Sequence, residues 1–139
     1  MDTSTFSNLN WLHILVAAIA YFALGAIWYS GLFGKKWVAY QNIDMNDPNA
    51  KKGAGAIMFG SFVLMFITTI GLAILINRLQ LNLAISGVKT GLLTGVCFSA
   101  MAISISYLYV KRPAGLHLID GLYHIAGQII AAVILCVWR

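Results

Sequence analysis

Four long apolar runs dominate the chain: Trp11–Phe33, Ala54–Ile76, Leu83–Val110 and Leu116–Trp138. Each reaches the ~20 residues needed to cross ~30 Å of hydrocarbon as a helix. A bilayer core offers no water to a peptide group, so every backbone donor and acceptor must be satisfied inside the protein. A helix does this for each run separately. The expected fold is an all-α membrane protein, a four-transmembrane-helix bundle with short loops. It forms one domain over residues 1–139, with helices near 9–33, 48–77, 83–111 and 116–138. Composition agrees with this reading. Hydrophobic residues make up 60% of the 139 positions and charged residues 9%, whereas a soluble domain carries about 25% charged residues.

Local signals mark the helix ends. Ser7 or Asn8 is placed to cap the first helix. Asp47 followed by Pro48 reads as an N-cap and first helical position for the second. That helix would then start in water beside Lys51 and Lys52. Asn82 can cap the third helix, and Pro113 with Gly115 breaks the chain before the fourth. Asp2 is the only charged side chain before the first apolar run. A signal peptide needs a basic n-region, so this run is read as a retained span.

Lys and Arg set the orientation. Lys35, Lys36, Lys51, Lys52, Lys111 and Arg112 fall on one side, and Arg78, Lys89 and Arg139 on the other. The basic loops are therefore expected in the cytoplasm and both termini outside. The net charge of +5 suits anionic lipid headgroups. The basic residues form no patch apart from the membrane flanks, so no nucleic-acid partner is expected. Trp11, Trp28, Trp37, Tyr40, Tyr107, Tyr109 and Trp138 lie near segment ends, where aromatic side chains anchor at the interface. Cys97 and Cys136 lie in different apolar runs and read as small buried hydrophobes, with no disulfide framework.

The third run carries Gly87, Gly91, Gly95 and Ser99 at intervals of four. This spacing cuts one groove of small residues and lets another helix approach closely. Two partners fit the groove equally well, a helix of the same chain or one from a second copy. A homo-oligomer is therefore one of the expected states.

The fourth run is two-sided. At about 100° per residue, His117, Asp120, Gly121, His124, Gln128, Ala131 and Leu135 share one face. Ile119, Leu122, Ala126, Ile130, Val133 and Val137 share the other. Polar groups are costly in lipid, so the first face should point into the bundle and the second outward. The first run repeats this weakly through Asn10, His13, Ala17, Ala20, Tyr21, Leu24 and Trp28. His13 lies near the outer end, too far from His117 and Asp120 to join them. At the depth of Asp120 lie Trp28, Tyr29, Ser30 and Tyr107.

These considerations define a candidate polar pocket of Trp28, Tyr29, Tyr107, His117, Asp120, His124 and Gln128. Asp120 and His124 are four residues apart, within reach of a hydrogen bond. A carboxylate beside an imidazole suits proton transfer or metal ligation. One helix rarely encloses a metal, and no second helix supplies a histidine at that depth, so no metal is expected. A structural role competes. Asp120 lies near a helix start, where the macrodipole favours an acid, and it could pair with Lys36, Lys111 or Arg112. His117 could rest among headgroups, and Gln128 could simply bridge helices. No phosphate-cradling loop, Gly-x-Ser-x-Gly nucleophile or paired-His zinc motif is present. Asp44 and Asp47 lack the rest of a calcium loop. No cofactor and no catalytic residue is expected.

Asn10-Trp11, then Gly25-Ala26-Ile27-Trp28-Tyr29-Ser30, then Leu32-Phe33-Gly34-Lys35-Lys36-Trp37 resemble the first helix of a known family. Asp120-Gly121-Leu122-Tyr123-His124, running into an Ala/Ile/Leu stretch that ends at Trp138, resembles its last helix. The family is the small bacterial membrane proteins of the domain of unknown function 1761. Gly31 stands here where that pattern would place a proline after the serine. The resemblance covers most of the chain and implies four membrane helices in the bacterial inner membrane. It brings no activity and no residues of assigned role. The first expectation is thus a small inner-membrane protein that binds or assembles through its helix bundle. The rivals are a proton- or ion-coupled carrier using Asp120 and His124, and a membrane enzyme acting on a lipid-like substrate.

Overall fold

A computed structural model describes residues 8–138. Four helical spans run Trp11–Leu32, Ala54–Arg78, Ala84–Tyr109 and Ala114–Val137, all long and apolar enough to cross a membrane. The chain is an all-α membrane bundle. The fourth span is its centre and packs against each of the other three. Half of its most apolar stretch is buried, against 28%, 22% and 17% for the first, second and third.

The glycine groove is filled from within the chain. A methyl group at Gly87 would lie 2.7 Å from Val133 Cα, and one at Gly95 would lie 2.7 Å from Ile125 Cα. One at Gly91 would run into the backbone at Gln128 and Ile129. All of these belong to the fourth span. Removing side chains here lets two backbones meet closely, and the contact continues as Gln128 Nε2 donates to Ser99 Oγ.

Two spans change pitch. The first ends in a π-helical turn, Ile27–Leu32, and the third is interrupted by another, Gly95–Ala100. After the first span the chain turns through Phe33 into a short helix, Gly34–Gln41, not foreseen as a separate element. This helix ends at Asn42 in the left-handed region (φ 55°). Gln80 (φ 53°) and Lys111 (φ 54°) follow the second and third spans in the same way.

Three expected helix starts are corrected. The second span begins at Ala54, not near Pro48, after Gly53 in the left-handed region (φ 79°). Residues 47–53 form successive tight turns instead, with Ala50 N–H on the Asp47 carbonyl and Lys52 N–H on the Asn49 carbonyl. Asp47 caps a turn, its Oδ1 accepting from Asn49 N–H at 2.8 Å. The segment is exposed throughout and offers no apolar face whose burial would hold a helix in water. Asn10, rather than Asn8, caps the first span, accepting from Leu12 N–H (3.2 Å) and His13 N–H (3.3 Å). Ser7 lies outside the described residues. The third span starts after Leu83 without a side-chain cap, so Asn82 does not serve as one. Pro113 does precede the fourth span, but Gly115 lies inside it, where the Tyr40 ring leaves no room for a side chain.

An apolar core joins the first, second and fourth spans at their ends away from Asp120. Ile14, Ala17, Leu72, Ala73, Ile76, Ala131, Ala132 and Leu135 meet there. Of the outward face expected for the fourth span, Leu122, Ile130 and Val137 are exposed, while Ile119 is buried. With neighbours on three sides, the buried arc is wider than one stripe, and it also takes in Tyr123 and Gly127.

Candidate functional site

The fourth span carries a file of polar side chains, one per turn, each engaged by another span. Asp120 is buried. Its Oδ1 accepts from Tyr29 O–H at 2.7 Å and its Oδ2 from Tyr107 O–H at 2.6 Å. These tyrosines come from the first and third spans, so one carboxyl ties three spans together. Among the described residues it forms no ion pair with Lys36, Lys111 or Arg112. Nor does it hydrogen-bond His124, whose Nδ1 is engaged by Tyr21. His124 turns to Tyr21, its Nδ1 sharing a 2.5 Å hydrogen bond with the phenol. Gln128, one turn deeper and buried, reaches Ser99. His117, on the other side of Asp120, is half-buried with Tyr107 edge-on at 5.4 Å.

Aromatic packing fixes these groups in place. Trp28 Nε1 donates to the Ile119 carbonyl at 3.0 Å, anchoring the π-helical turn of the first span against the fourth. Tyr29 lies between Trp37 of the short helix (5.5 Å) and Tyr123 (5.1 Å). Of the residues placed at this depth, Trp28, Tyr29 and Tyr107 meet the site. Ser30 does not, because it is exposed and its hydroxyl donates back to the Ala26 carbonyl.

Tyr123 is the neighbour of this file that residue-by-residue reading missed. It is 2% exposed and touches the rings of Tyr21, Trp28, Tyr29 and His124. Its hydroxyl donates toward the Tyr21 carbonyl (3.4 Å) and Met65 Sδ (3.3 Å). Two glycines make room for this cluster. A Cβ at Gly25 would lie 2.9 Å from the Tyr123 hydroxyl, and one at Gly127 would overlap the Tyr21 ring. The Gly25 and Tyr123 pattern was visible in the family resemblance, but nothing in spacing alone linked the two.

The file runs from His117 to Gln128, roughly 16 Å of helix, or about half of a hydrocarbon core. Beyond Gln128 the fourth span continues as Ala131, Ala132 and Leu135 in the apolar core. Among the described residues every buried side-chain nitrogen and oxygen has a hydrogen-bond partner. No group of three or more His, Cys, Asp or Glu is placed to hold a metal ion among them. His13 stacks on Trp138 at the opposite end of the bundle, as its place in the sequence requires.

A family model described as "Protein of unknown function (DUF1761)" matches residues 12–136. No curated protein and no solved structure matches the chain.

Proposed function

The chain belongs to the DUF1761 family, and we propose that within it this protein is a proton-coupled carrier of the bacterial inner membrane, with Asp120 as its proton-binding group. The observation that carries the reading is a buried carboxyl tied to two other spans by phenols alone. An ionised carboxylate in a bilayer is costly unless charge or hydrogen bonds offset it. Here only two neutral donors do so. As a carboxylate, Asp120 accepts from both tyrosines. Once it takes a proton, one of its oxygens gains an O–H that needs an acceptor, and the phenol contact at that oxygen weakens or reverses direction. Proton uptake therefore alters the grip of the first and third spans on the fourth. Each of those spans has a π-helical turn near the file, and such turns are often found at functional positions in helices.

The apolar core beyond Gln128 favours a carrier over an open channel, since it seals the half of the membrane opposite the file. In this reading the file opens toward the cytoplasm and both termini lie outside. Lys35, Lys36, Lys51, Lys52, Lys111 and Arg112 rest on anionic headgroups. His124 with Tyr21 is the next proton-exchanging pair along the file.

The test is proton flux in liposomes containing the purified protein, with sodium and potassium salts present as exchanging ions, under an imposed pH gradient. Wild-type protein should carry flux above empty liposomes, and Asp120→Asn should abolish it while keeping the helical circular-dichroism signal. Equal flux from wild type and Asp120→Asn would sink the proposal. If Asp120→Asn instead loses thermal stability or assembly, and wild type carries no flux, the carboxyl is a clamp between spans.

A further inference from the structure

A cavity of about 290 Å³ lies at the end of the bundle opposite Asp120. The start of the first span and the ends of the second and fourth border it, leaving it partly open. His13 and Trp138 form one wall, stacked with ring centroids 4.4 Å apart and planes 22° from parallel. Ala73 and Leu135 contribute an apolar floor, and Asn10 and Asn77 bring side-chain amides to it. Asn10 Oδ1 is occupied in capping the first span, which leaves its NH2 group as a donor. Asn77 Nδ2 donates to the Asn8 carbonyl at 3.5 Å and keeps a second N–H.

These features select a ligand. None of the lining residues among those described is Asp, Glu, Lys or Arg. With His13 the single titratable side chain among those described, a neutral occupant fits this lining best. Stacked aromatic rings favour a flat ring laid against them. The amide donors call for acceptor oxygens. The volume of about 290 Å³ is about twice the ~150 Å³ cavity that takes up one benzene ring, which is room for two fused rings.

We propose that this cavity binds a neutral two-ring aromatic molecule bearing carbonyl oxygens, such as a bicyclic quinone. Binding alone is meant, with no electron transfer. The apolar core separates this cavity from the Asp120 file, so the inference does not rest on the carrier reading.

The test is equilibrium dialysis of menadione against the full-length protein in nanodiscs, with protein-free nanodiscs of the same lipid as background. The expected result is saturable uptake of about one molecule per chain, at the low-volume end of small-ligand sites. His13→Ala removes one ring of the wall and should weaken affinity about 2- to 10-fold, the scale of one aromatic stack. Ala73→Leu fills the floor and should abolish saturable uptake. Thermal melts establish that each variant is folded. Should Ala73→Leu not fold, Trp138→Ala takes its place and should weaken uptake as His13→Ala does. Uptake equal to protein-free nanodiscs overturns the proposal. So does saturable uptake that none of the folded variants weakens.

Discussion

Alanine at Gly91 should destabilise the bundle, whereas alanine at Gly60 or Gly71 should not. In isolation each change favours the helix, by roughly 0.5–1 kcal/mol, because alanine loses less backbone entropy. At Gly60 and Gly71 nothing lies within 4 Å of an added Cβ, so this small gain is the whole effect. At Gly91 the new carbon meets the backbone at Gln128 and Ile129, and backbone cannot rotate away as a side chain can. Carbon atoms rest ~3.5–4.0 Å apart. At neighbouring Gly87 the added carbon would lie 2.7 Å from Val133 Cα. The third and fourth spans must therefore part by about 1 Å. Overpacking of this kind costs about 1–3 kcal/mol, and the same displacement pulls Ser99 away from Gln128. Because the helix gain is common to both sets, they should differ by the overpacking cost, about 1–3 kcal/mol. Reversible unfolding in mixed SDS micelles, followed by far-ultraviolet circular dichroism, measures this. A Gly91→Ala protein as stable as Gly60→Ala would refute the in-chain packing of the groove.

Two further measurements address the site and its orientation. Tyr29→Phe and Tyr107→Phe each leave one oxygen of a buried carboxyl without its donor, and each should cost about 1–3 kcal/mol in the same unfolding assay. A variant with wild-type stability in both cases would show that Asp120 does not depend on these phenols. For orientation, alkaline phosphatase fused after Arg139 should be active and the same enzyme inserted between Asn46 and Asp47 inactive; the reverse pattern would invert the topology.

The spans were legible in the sequence because depth is written in it. A helix rises by a near-constant amount per residue, so the position of Asp120 four residues from His124 and near the start of its run fixes how deep each lies. That was enough to bring Trp28, Tyr29 and Tyr107 to Asp120 and to keep His13 away. The short helix Gly34–Gln41 and the turns after Asp47 were not legible. They lie outside the apolar runs, where capping residues compete with no packing to decide between helix and turn. Asp47-Pro48 is a good cap signal, and Gly53 in the left-handed region defers the helix to Ala54.

Rotation about each helix axis was harder to read, for a physical reason. In water an apolar stripe marks the buried face. In a bilayer the lipid is as apolar as the core, so Ile119, which is buried, and Leu122, which is exposed, carry the same information. Only residues that lipid tolerates poorly, or that lack a side chain, break this degeneracy. The polar file on the fourth span therefore pointed inward as expected, and the glycines of the third span announced a close contact. Neither could name its partner. Gly91 fits any backbone, and the choice of Ile129 follows from a contact across the two spans that no local pattern encodes. Tyr123 is the limiting case. Its ring is acceptable at an interface or in a core, and its seat among Tyr21, Trp28, Tyr29 and His124 depends on Gly25 nearly a hundred residues away. The same degeneracy bears on function. Because lipid already satisfies the apolar residues, the glycine groove and the few polar contacts fix how the first and third spans sit against the fourth, and Asp120 holds one polar contact to each. On the proposed carrier reading, a proton arriving at that carboxyl acts on a group that contacts both of those spans.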